Sequence, residues 1–439
     1  MIFSSRKFWK LDRSNKKQRS NRSSLIISWV RDMKRLIAKM FVISDRKALQ
    51  IGGFTLIELL VAMLIATLII STMLAFTINI METDRREQAK VETQGEVQAA
   101  LDYISDDLQE AVYIYNADGL ERVSPNGISN QIPTFANSTP VLAFWKRIYY
   151  DPNENVPVGG GNTKRVGCLE YGTSITNSTA ALTCDANNPT GSGRYSYSLV
   201  VYYLTYNNAN GANQAWSSAA RLDRWEVRDG IRASCQLGAA GNPSLISPTC
   251  PEPVPISRVE VTPNNFVNYW VAPDAGFKPF DAQGADLTTV MNSWTKTSAA
   301  YTATPTPLLD LVDDTPFVAG QDDGTATNPP FRIAIGPNTG VAGNWSNASC
   351  SDPMVGVGGA SIQAAQRIPS TFTVGGLSSF YACVNSTNTV ARVYLRGNAL
   401  ARLRPNQTQS QRAITDQNNT FLSTSSVRAY GRGKLFFQQ

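Results

Sequence analysis

A single carboxylate lies inside the most apolar segment of this 439-residue chain. Residues 54–80 read FTLIELLVAMLIATLIISTMLAFTINI, and Glu58 is the one charged residue among them. A carboxylate at the centre of a membrane helix costs about 2.5–3.5 kcal/mol on insertion scales, so it requires a cationic partner or a route to water. We therefore expect Glu58 either to pair with a cationic group or to reach the lipid headgroups.

The absence of histidine limits the chemistry open to the other residues. It excludes Ser-His-Asp and Cys-His catalytic systems and zinc sites with histidine ligands. Five aspartates cluster between residues 310 and 323 and could bind calcium, but their spacing fits no EF-hand loop, so we favour a solvated acidic loop. We predict a protein that is not an enzyme and has no metal site and no cofactor. The five aspartates are Asp310, Asp313, Asp314, Asp322 and Asp323.

Basic residues concentrate at the C-terminal end, where residues 390–439 hold eight Lys and Arg against one Asp. Interleaved with tyrosines, such a patch could bind an acidic polysaccharide, with nucleic acid a less expected ligand. Alternatively the basic strands face residues 81–110, which hold nine acidic and three basic residues, or the same segment of a neighbour. We favour this internal pairing. The candidate ligand-binding residues are Arg396, Arg404 and Arg432.

The apolar segment is long enough to cross a membrane. Leu59 to Ile80 gives 22 uncharged residues, and at about 1.5 Å per residue this helix spans about 33 Å, against roughly 30 Å of hydrocarbon core. Residues 1–53 contain 14 Lys and Arg and three Asp, so they carry +11 while the whole chain carries +6. Because basic flanks stay inside, we expect residues 1–53 in the cytoplasm and the rest of the chain outside it.

The residues that begin the apolar segment resemble the leader of type IV prepilins and type II secretion pseudopilins. In that family a small residue, usually Gly, precedes Phe-Thr-Leu-Ile-Glu, and here Gly53 precedes Phe54-Thr55-Leu56-Ile57-Glu58. The resemblance implies that a prepilin peptidase cleaves between Gly53 and Phe54 and that the new amino terminus of Phe54 is methylated. It also implies that Glu58 pairs with the N-terminal amine of a neighbouring subunit.

A helical pattern continues beyond the apolar segment. In residues 81–115 apolar side chains recur at spacings of 4, 3, 4, 3 and 4, which places them on one helix face. We predict one helix from Phe54 to about Tyr115, whose outer half packs on the protein's own sheet; a coiled coil is the alternative. The residues of this stripe are Val97, Leu101, Ile104, Leu108, Ala111 and Tyr115.

After Pro125, short apolar and aromatic runs alternate with Gly, Pro, Asn and Ser, which predicts strands and turns. Few long apolar runs occur in residues 231–378, which we interpret as a loop-rich insertion. The predicted fold is α+β and pilin-like, with a long N-terminal helix on an antiparallel β-sheet head. The predicted strands are Val141–Tyr150, Tyr195–Tyr206, Arg221–Val227, Ala391–Arg396 and Val427–Phe437.

These patterns divide the chain into six segments. They are a cleaved cytoplasmic leader (1–53), a transmembrane helix (54–80), its amphipathic continuation (81–115), a β-rich head (116–230), the insertion (231–378) and the C-terminal strands of the head (379–439).

All six cysteines follow the membrane segment, in the part of the chain expected in an oxidising compartment. Their even number predicts three disulfides, although six cysteines allow 15 pairings. Sequential pairing closes short loops and is our expectation, each bridge contributing about 2–4 kcal/mol. A metal site is disfavoured because the chain has no C-x-x-C pair. The expected pairs are Cys168 with Cys184, Cys235 with Cys250, and Cys350 with Cys383.

The order of elements resembles that of the larger minor pseudopilins, the J-type pseudopilins of type II secretion and the W-type minor pilins. A strand ending VVYYL, residues 200–204, is followed by RLDRWEV, residues 221–227, and the resemblance covers residues 54–230 and 380–439. The stretches DRREQAK, ALDYI and VYLRGNAL resemble most closely the C-type hormogonium polysaccharide secretion pseudopilins of filamentous cyanobacteria.

This resemblance implies a minor pseudopilin, a filament subunit that serves polysaccharide secretion and gliding. Because a head of more than 300 residues is too bulky to repeat along a filament shaft, we expect the subunit at the tip, where it primes assembly. The resemblance implies as partners the prepilin peptidase, other pilins or pseudopilins and an inner-membrane assembly platform. It also implies a single-pass inner-membrane protein with a periplasmic head, which enters a filament after assembly. A minor pilin that acts as a tip adhesin or in DNA uptake is the alternative.

Overall fold

The computed structural model describes the chain from residue 55 to residue 432 with gaps. The chain divides into two compact units, Met1–Ile80 and Met81–Gln439. The described residues are 55–159, 162–169, 193–206, 216–236, 259–261, 266–271, 273–278, 286–316, 367–370, 374–387, 389–405, 407–412 and 419–432.

Helix α1, Leu56–Gln109, supplies the described part of the first unit. All of its side chains up to Ile80 are exposed, including the large apolar ones. Within the described residues it is the one helix long and apolar enough to cross a membrane. This helix is compatible with single-pass membrane anchoring, as its length and composition predict.

In the second unit, α1 buries one face against a β-sheet. Four residues of the predicted stripe, from Val97 to Leu108, are fully buried in one core with strand residues such as Val200 and Leu222. Packing on the protein's own sheet is therefore confirmed. Ala89, Thr93, Ala100 and Asp107 complete the buried face.

The predicted end of the helix is wrong. Helix α1 ends at Gln109, and Ala111–Ile114 forms strand β1, which pairs antiparallel with a neighbouring strand through Tyr113 and Trp145. The sequence of β1 is AVYI, whose β-branched and aromatic side chains favour a strand, and all four are buried. Ala111 and Tyr115 thus belong to the core without belonging to the helix.

A nine-stranded sheet of antiparallel pairs forms the head, in the order β1-β2-β5-β6-β10-β13-β12-β11, with β14 paired to β13. All five predicted strands are present, but the last begins five residues earlier than expected and ends at Tyr430, while residues 433–437 lie outside the described residues. The strands after β1 are β2 (Ser138–Tyr150), β5 (Arg194–Thr205), β6 (Ala220–Arg228), β10 (Thr306–Val312), β11 (Arg367–Ile368), β12 (Phe380–Asn385), β13 (Val390–Asn398) and β14 (Leu422–Tyr430).

The head also contains smaller elements. Among the described residues two further sheets are present, β3 with β4 and β7-β9-β8. Their strands are β3 (Asn155–Gly159), β4 (Asn162–Arg165), β7 (Ile231–Gln236), β8 (Val259–Val261) and β9 (Phe266–Val271). The short helices are α2 (Ala117–Glu121), α3 (Leu287–Asn292), α4 (Ala399–Leu403) and α5 (Gln409–Arg412).

Residues 231–378 are not one insertion outside the core. Strand β10 lies within this range and pairs with β6 on one side and β13 on the other. Its sequence, TPLLDLV, is short and flanked by Pro and Thr, so it resembles a loop until its neighbours bury Leu309 and Val312. The proposed boundary at residue 231 therefore separates strands of one sheet.

Gly397 is a point of close approach between helix and sheet. A Cβ atom on this residue of β13 would lie 2.7 Å from the methyl carbons of Thr93 and Val97 on α1. Such a contact is too short for a real side chain, so this position requires glycine for packing.

Candidate functional site

The first candidate site is the beginning of α1. Thr55 precedes the helix, and its hydroxyl donates to Oε2 of Glu58 at 3.2 Å while the Glu58 backbone N–H donates to the Thr55 hydroxyl at 3.4 Å. The Thr55 backbone N–H also donates to Glu58 at 3.4 Å. This is a capping box, which satisfies backbone donors that a helix start leaves free. Glu58 therefore has local partners within its own chain.

The other two residues of this site, Gly53 and Phe54, lie outside the described residues. Cleavage between them and methylation of Phe54 stay predictions, as does the contact of Glu58 with a neighbouring subunit.

The second candidate site is a charged cluster under the end of α1. Asp107 is 7% exposed and accepts hydrogen bonds from Arg224 Nε at 2.7 Å, Tyr202 Oη at 2.7 Å and Lys146 Nζ at 2.8 Å. These donors lie on β6, β5 and β2, so one carboxylate of the helix joins three strands. Arg224 also donates to Glu226 at 2.8 Å.

Two opposing effects set the pKa values in this cluster. Burial raises the pKa of Asp107, but the hydrogen bond and charge of Arg224, with the charge of Lys146, lower it by more. The same balance lowers the pKa of Glu226, mainly through Arg224. Burial lowers the pKa of Lys146, and Asp107 raises it above its ordinary value. All three groups are therefore charged near neutral pH, where the cluster links the helix to the sheet electrostatically.

The three basic residues predicted to form one surface patch differ in burial. Arg396 is 2% exposed and its Nε lies 2.8 Å from Oδ2 of Asp313, so it cannot contribute to a surface patch. Arg404 and Arg432 are exposed. Both faces of β13 are covered, since Leu395, Arg396 and Gly397 are all buried, and Asp313 neutralises the guanidinium of Arg396.

Internal pairing of the basic C-terminal residues with α1 is confirmed for Arg402. Its guanidinium forms ion pairs with Glu92 and Glu96, two residues of the acidic helix. One basic residue of the C-terminal end therefore pairs with the acidic part of α1.

Three of the clustered aspartates are not part of a solvated loop. Asp313 and Asp314 are buried, and Asp314 pairs with Arg412 at 2.5 Å. Asp310 accepts from the backbone N–H and hydroxyl of Ser217 at 2.8 and 2.7 Å. Burial raises the pKa of Asp314 to about 6, against the lowering effect of Arg412. Asp322 and Asp323 lie outside the described residues.

Two cysteines, Cys168 and Cys383, are disulfide-bonded. Which cysteine each one joins falls outside the described residues, as do Cys184, Cys250 and Cys350. Cys235 lies on β7. The sequential pairing stays a prediction.

Sequence reasoning missed the cluster around Asp107. One signal was present, because Asp107 falls next to Leu108 and three residues after Ile104, on the buried face of the stripe. A carboxylate at such a position predicts a buried cationic partner. The identity of that partner, 117 residues further on, depends on the topology of the sheet.

No protein-family model, no curated protein and no solved structure matches this chain.

Proposed function

We propose that this protein is a minor pseudopilin, a filament subunit of a type IV pilus-like or type II secretion-like machine. The observation that carries the proposal is the sequence Gly53-Phe54-Thr55-Leu56-Ile57-Glu58 at the start of an apolar helix. In the prepilin family this arrangement combines a peptidase site, a methylated amine and an assembly carboxylate. The apolar side chains of α1 up to Ile80 are exposed all round the helix, which supports membrane insertion and packing against other helices.

The head supports a place at the end of a filament. It contains more than 300 residues after the apolar segment, which is too bulky to repeat at the close spacing of a filament shaft. We therefore infer a low copy number, a position at the tip and a role in priming assembly. Prepilin peptidase, other pilins and an inner-membrane assembly platform are the proposed partners, with the head on the periplasmic side.

The process that this filament serves is, in our proposal, polysaccharide secretion linked to gliding. A tip adhesin or DNA-uptake pilin is the second candidate, favoured by the exposure of Arg404 and Arg432. Companion prepilin-like genes beside glycosyltransferase genes would favour the first function. Competence genes in that position would favour the second.

Two measurements test the filament role. Mass spectrometry of the membrane-extracted protein should find an N-methylated Phe54 as the first residue; an unprocessed N-terminus would refute the leader assignment. In filaments sheared from cells, the Glu58→Ala variant should be lost while its amount in the membrane stays unchanged. Normal incorporation of that variant would refute the assembly role of Glu58.

A further inference from the structure

A cleft of about 550 Å³ opens on the head beside the C-terminal end of α1. It lies next to Gln109 and Glu110, along the ends of β2, β5 and β6, with Arg432 on its border. Clefts of roughly 300–1,000 Å³ are typical of sites for small ligands. Neither the leader nor the assembly role of Glu58 accounts for it.

Two tyrosines give this cleft an exposed aromatic surface. Tyr149 on β2 and Tyr195 on β5 are directly opposed across the antiparallel pair, with ring centroids 5.0 Å apart. They are 54% and 60% exposed, whereas Tyr202 and Tyr203 on the same β5 are almost completely buried. The guanidinium of Arg147 lies 4.1 Å from the centroid of the Tyr195 ring. The two rings are tilted by 51° to each other, so the pair offers two apolar faces at an angle, each with a polar hydroxyl.

The charged lining of the cleft has both signs. Four basic residues, among them Arg228 and Arg432, face three carboxylates, including Glu110 and Glu154. Phosphates of a nucleic acid would meet those carboxylates at close range. A sugar hydroxyl both donates and accepts, so it can pair with carboxylates and guanidinium groups in one site.

We propose that this cleft binds a short segment of polysaccharide, with the C–H face of a sugar ring against Tyr149 and Tyr195. The hydroxyls of the sugar pair with Glu154 and Arg432, which line the same cleft. This proposal rests on the proposed function for its biological setting and deepens it by naming the ligand and its site. The binding itself requires no filament.

Calorimetric titration of the full chain in nanodiscs of neutral phosphatidylcholine tests the site, with cellohexaose as a neutral probe and hexamannuronate as an acidic one. At least one probe should bind, with Kd below about 10 mM. Tyr149→Ala and Arg432→Ala should each weaken that binding about tenfold. Tyr149→Phe keeps the ring and should stay close to wild type, which separates stacking from loss of fold.

The matched control is Tyr103→Ala, which removes a tyrosine that is 47% exposed on α1 and does not line the cleft. It should bind the probes as the wild type does. Three results would overturn the proposal: no binding of either saccharide, equal binding by wild type and Tyr149→Ala, or tighter binding of a short single-stranded DNA than of both saccharides.

The Glu58→Ala variant separates this proposal from the proposed function. Since Glu58 lies in the apolar helix, the variant should bind saccharide normally. Normal filament incorporation of Glu58→Ala together with saccharide binding would refute the assembly role of Glu58 alone, and absence of the wild type from filaments together with saccharide binding would refute the filament role alone. Loss of incorporation with no saccharide binding by the wild type would refute the cleft alone.

Discussion

Arg224 holds the carboxylate of Asp107 with two hydrogen bonds, from Nε to Oδ2 at 2.7 Å and from Nη2 to Oδ1 at 3.3 Å. Asp107 lies in the last turn of α1 and Arg224 in β6, 117 residues later in the chain. Apolar contacts between helix and sheet are not directional, whereas a two-point guanidinium–carboxylate contact fixes orientation. This pair therefore sets the register of the helix on the head.

The first prediction concerns the stability of that contact. Asp107→Ala should lower the free energy of unfolding by about 3–5 kcal/mol, because it leaves the buried charges of Arg224 and Lys146 without their main partner. Chemical denaturation of the full chain in detergent, followed by near-ultraviolet circular dichroism, measures this loss. The neighbouring exposed residue gives the control, Asp106→Ala, which should change stability by less than about 0.5 kcal/mol. Equal effects of the two variants would contradict the role of Asp107.

The second prediction is the pH dependence of the same link. The pKa of Asp107 is lower in the folded than in the unfolded protein, so the unfolded state takes up the proton first as pH falls. Its stabilising contribution is complete above about pH 4, the ordinary aspartate pKa, and is lost as pH falls through the lower folded value. Asp314, whose pKa rises to about 6, acts in the opposite direction because its folded form takes up the proton first.

Unfolding free energies of wild type and Asp107→Asn isolate the contribution of Asp107, since Asp314 is present in both. Their difference should be constant above about pH 5 and should shrink below about pH 4. A difference that stays constant down to the lowest measurable pH would show that Asp107 keeps the same pKa in both states.

The third prediction separates two roles of Glu58. Thr55→Val removes the hydroxyl that shares the capping box but keeps the Glu58 carboxylate. If assembly depends on the carboxylate itself, Thr55→Val should enter sheared filaments nearly as well as wild type while Glu58→Ala is lost. Equal loss of both variants, measured by immunoblot against membrane levels, would assign Glu58 to the capping of its own helix.

The fourth prediction follows from the burial of Arg396. Arg396→Met should destabilise the head by about 3–5 kcal/mol, because Asp313 is then buried with its charge unpaired. Arg404→Met, at an exposed position, is the control and should change stability by less than about 0.5 kcal/mol. Thermal unfolding of both variants measures the contribution of the Arg396–Asp313 ion pair to stability. An unchanged melting temperature in Arg396→Met would show that this ion pair contributes nothing.

The fifth prediction compares two glycines that face opposite environments. Gly397→Ala should cost about 1–3 kcal/mol by overpacking, since its new methyl group would overlap Thr93 and Val97. Gly95→Ala should instead stabilise by up to about 1 kcal/mol, because it lies within α1 with nothing within 4 Å of the added carbon. Denaturant midpoints of the two variants should therefore move in opposite directions, and movement in the same direction would contradict the close approach at Gly397.

Much of the fold could be predicted because its signals are local. A run of apolar residues, a 4-3-4-3 stripe and short aromatic strands each reflect the period of one element, and so β2, β5, β6, β13 and the buried face of α1 were found. The end of α1 was misplaced because Ala111 and Tyr115 continue the helical spacing by coincidence. Strand β10 was missed because its burial comes from β6 and β13, whose positions a sequence pattern does not contain.

The sequence by itself determined the apolar helix, the position of Glu58 at its start and the stripe that packs on the sheet. Each of these depends on residues within a few positions of one another, where chain geometry leaves little choice. The tertiary structure decided which charges are buried: Asp107 with Arg224, and Asp313 with Arg396, pairs separated by 117 and 83 residues. It also decided that Tyr149 and Tyr195 share a cleft, because strand register places them opposite each other. Such contacts follow from topology, since a charge or a ring in a strand is compatible with a surface or an interior until its neighbours are known.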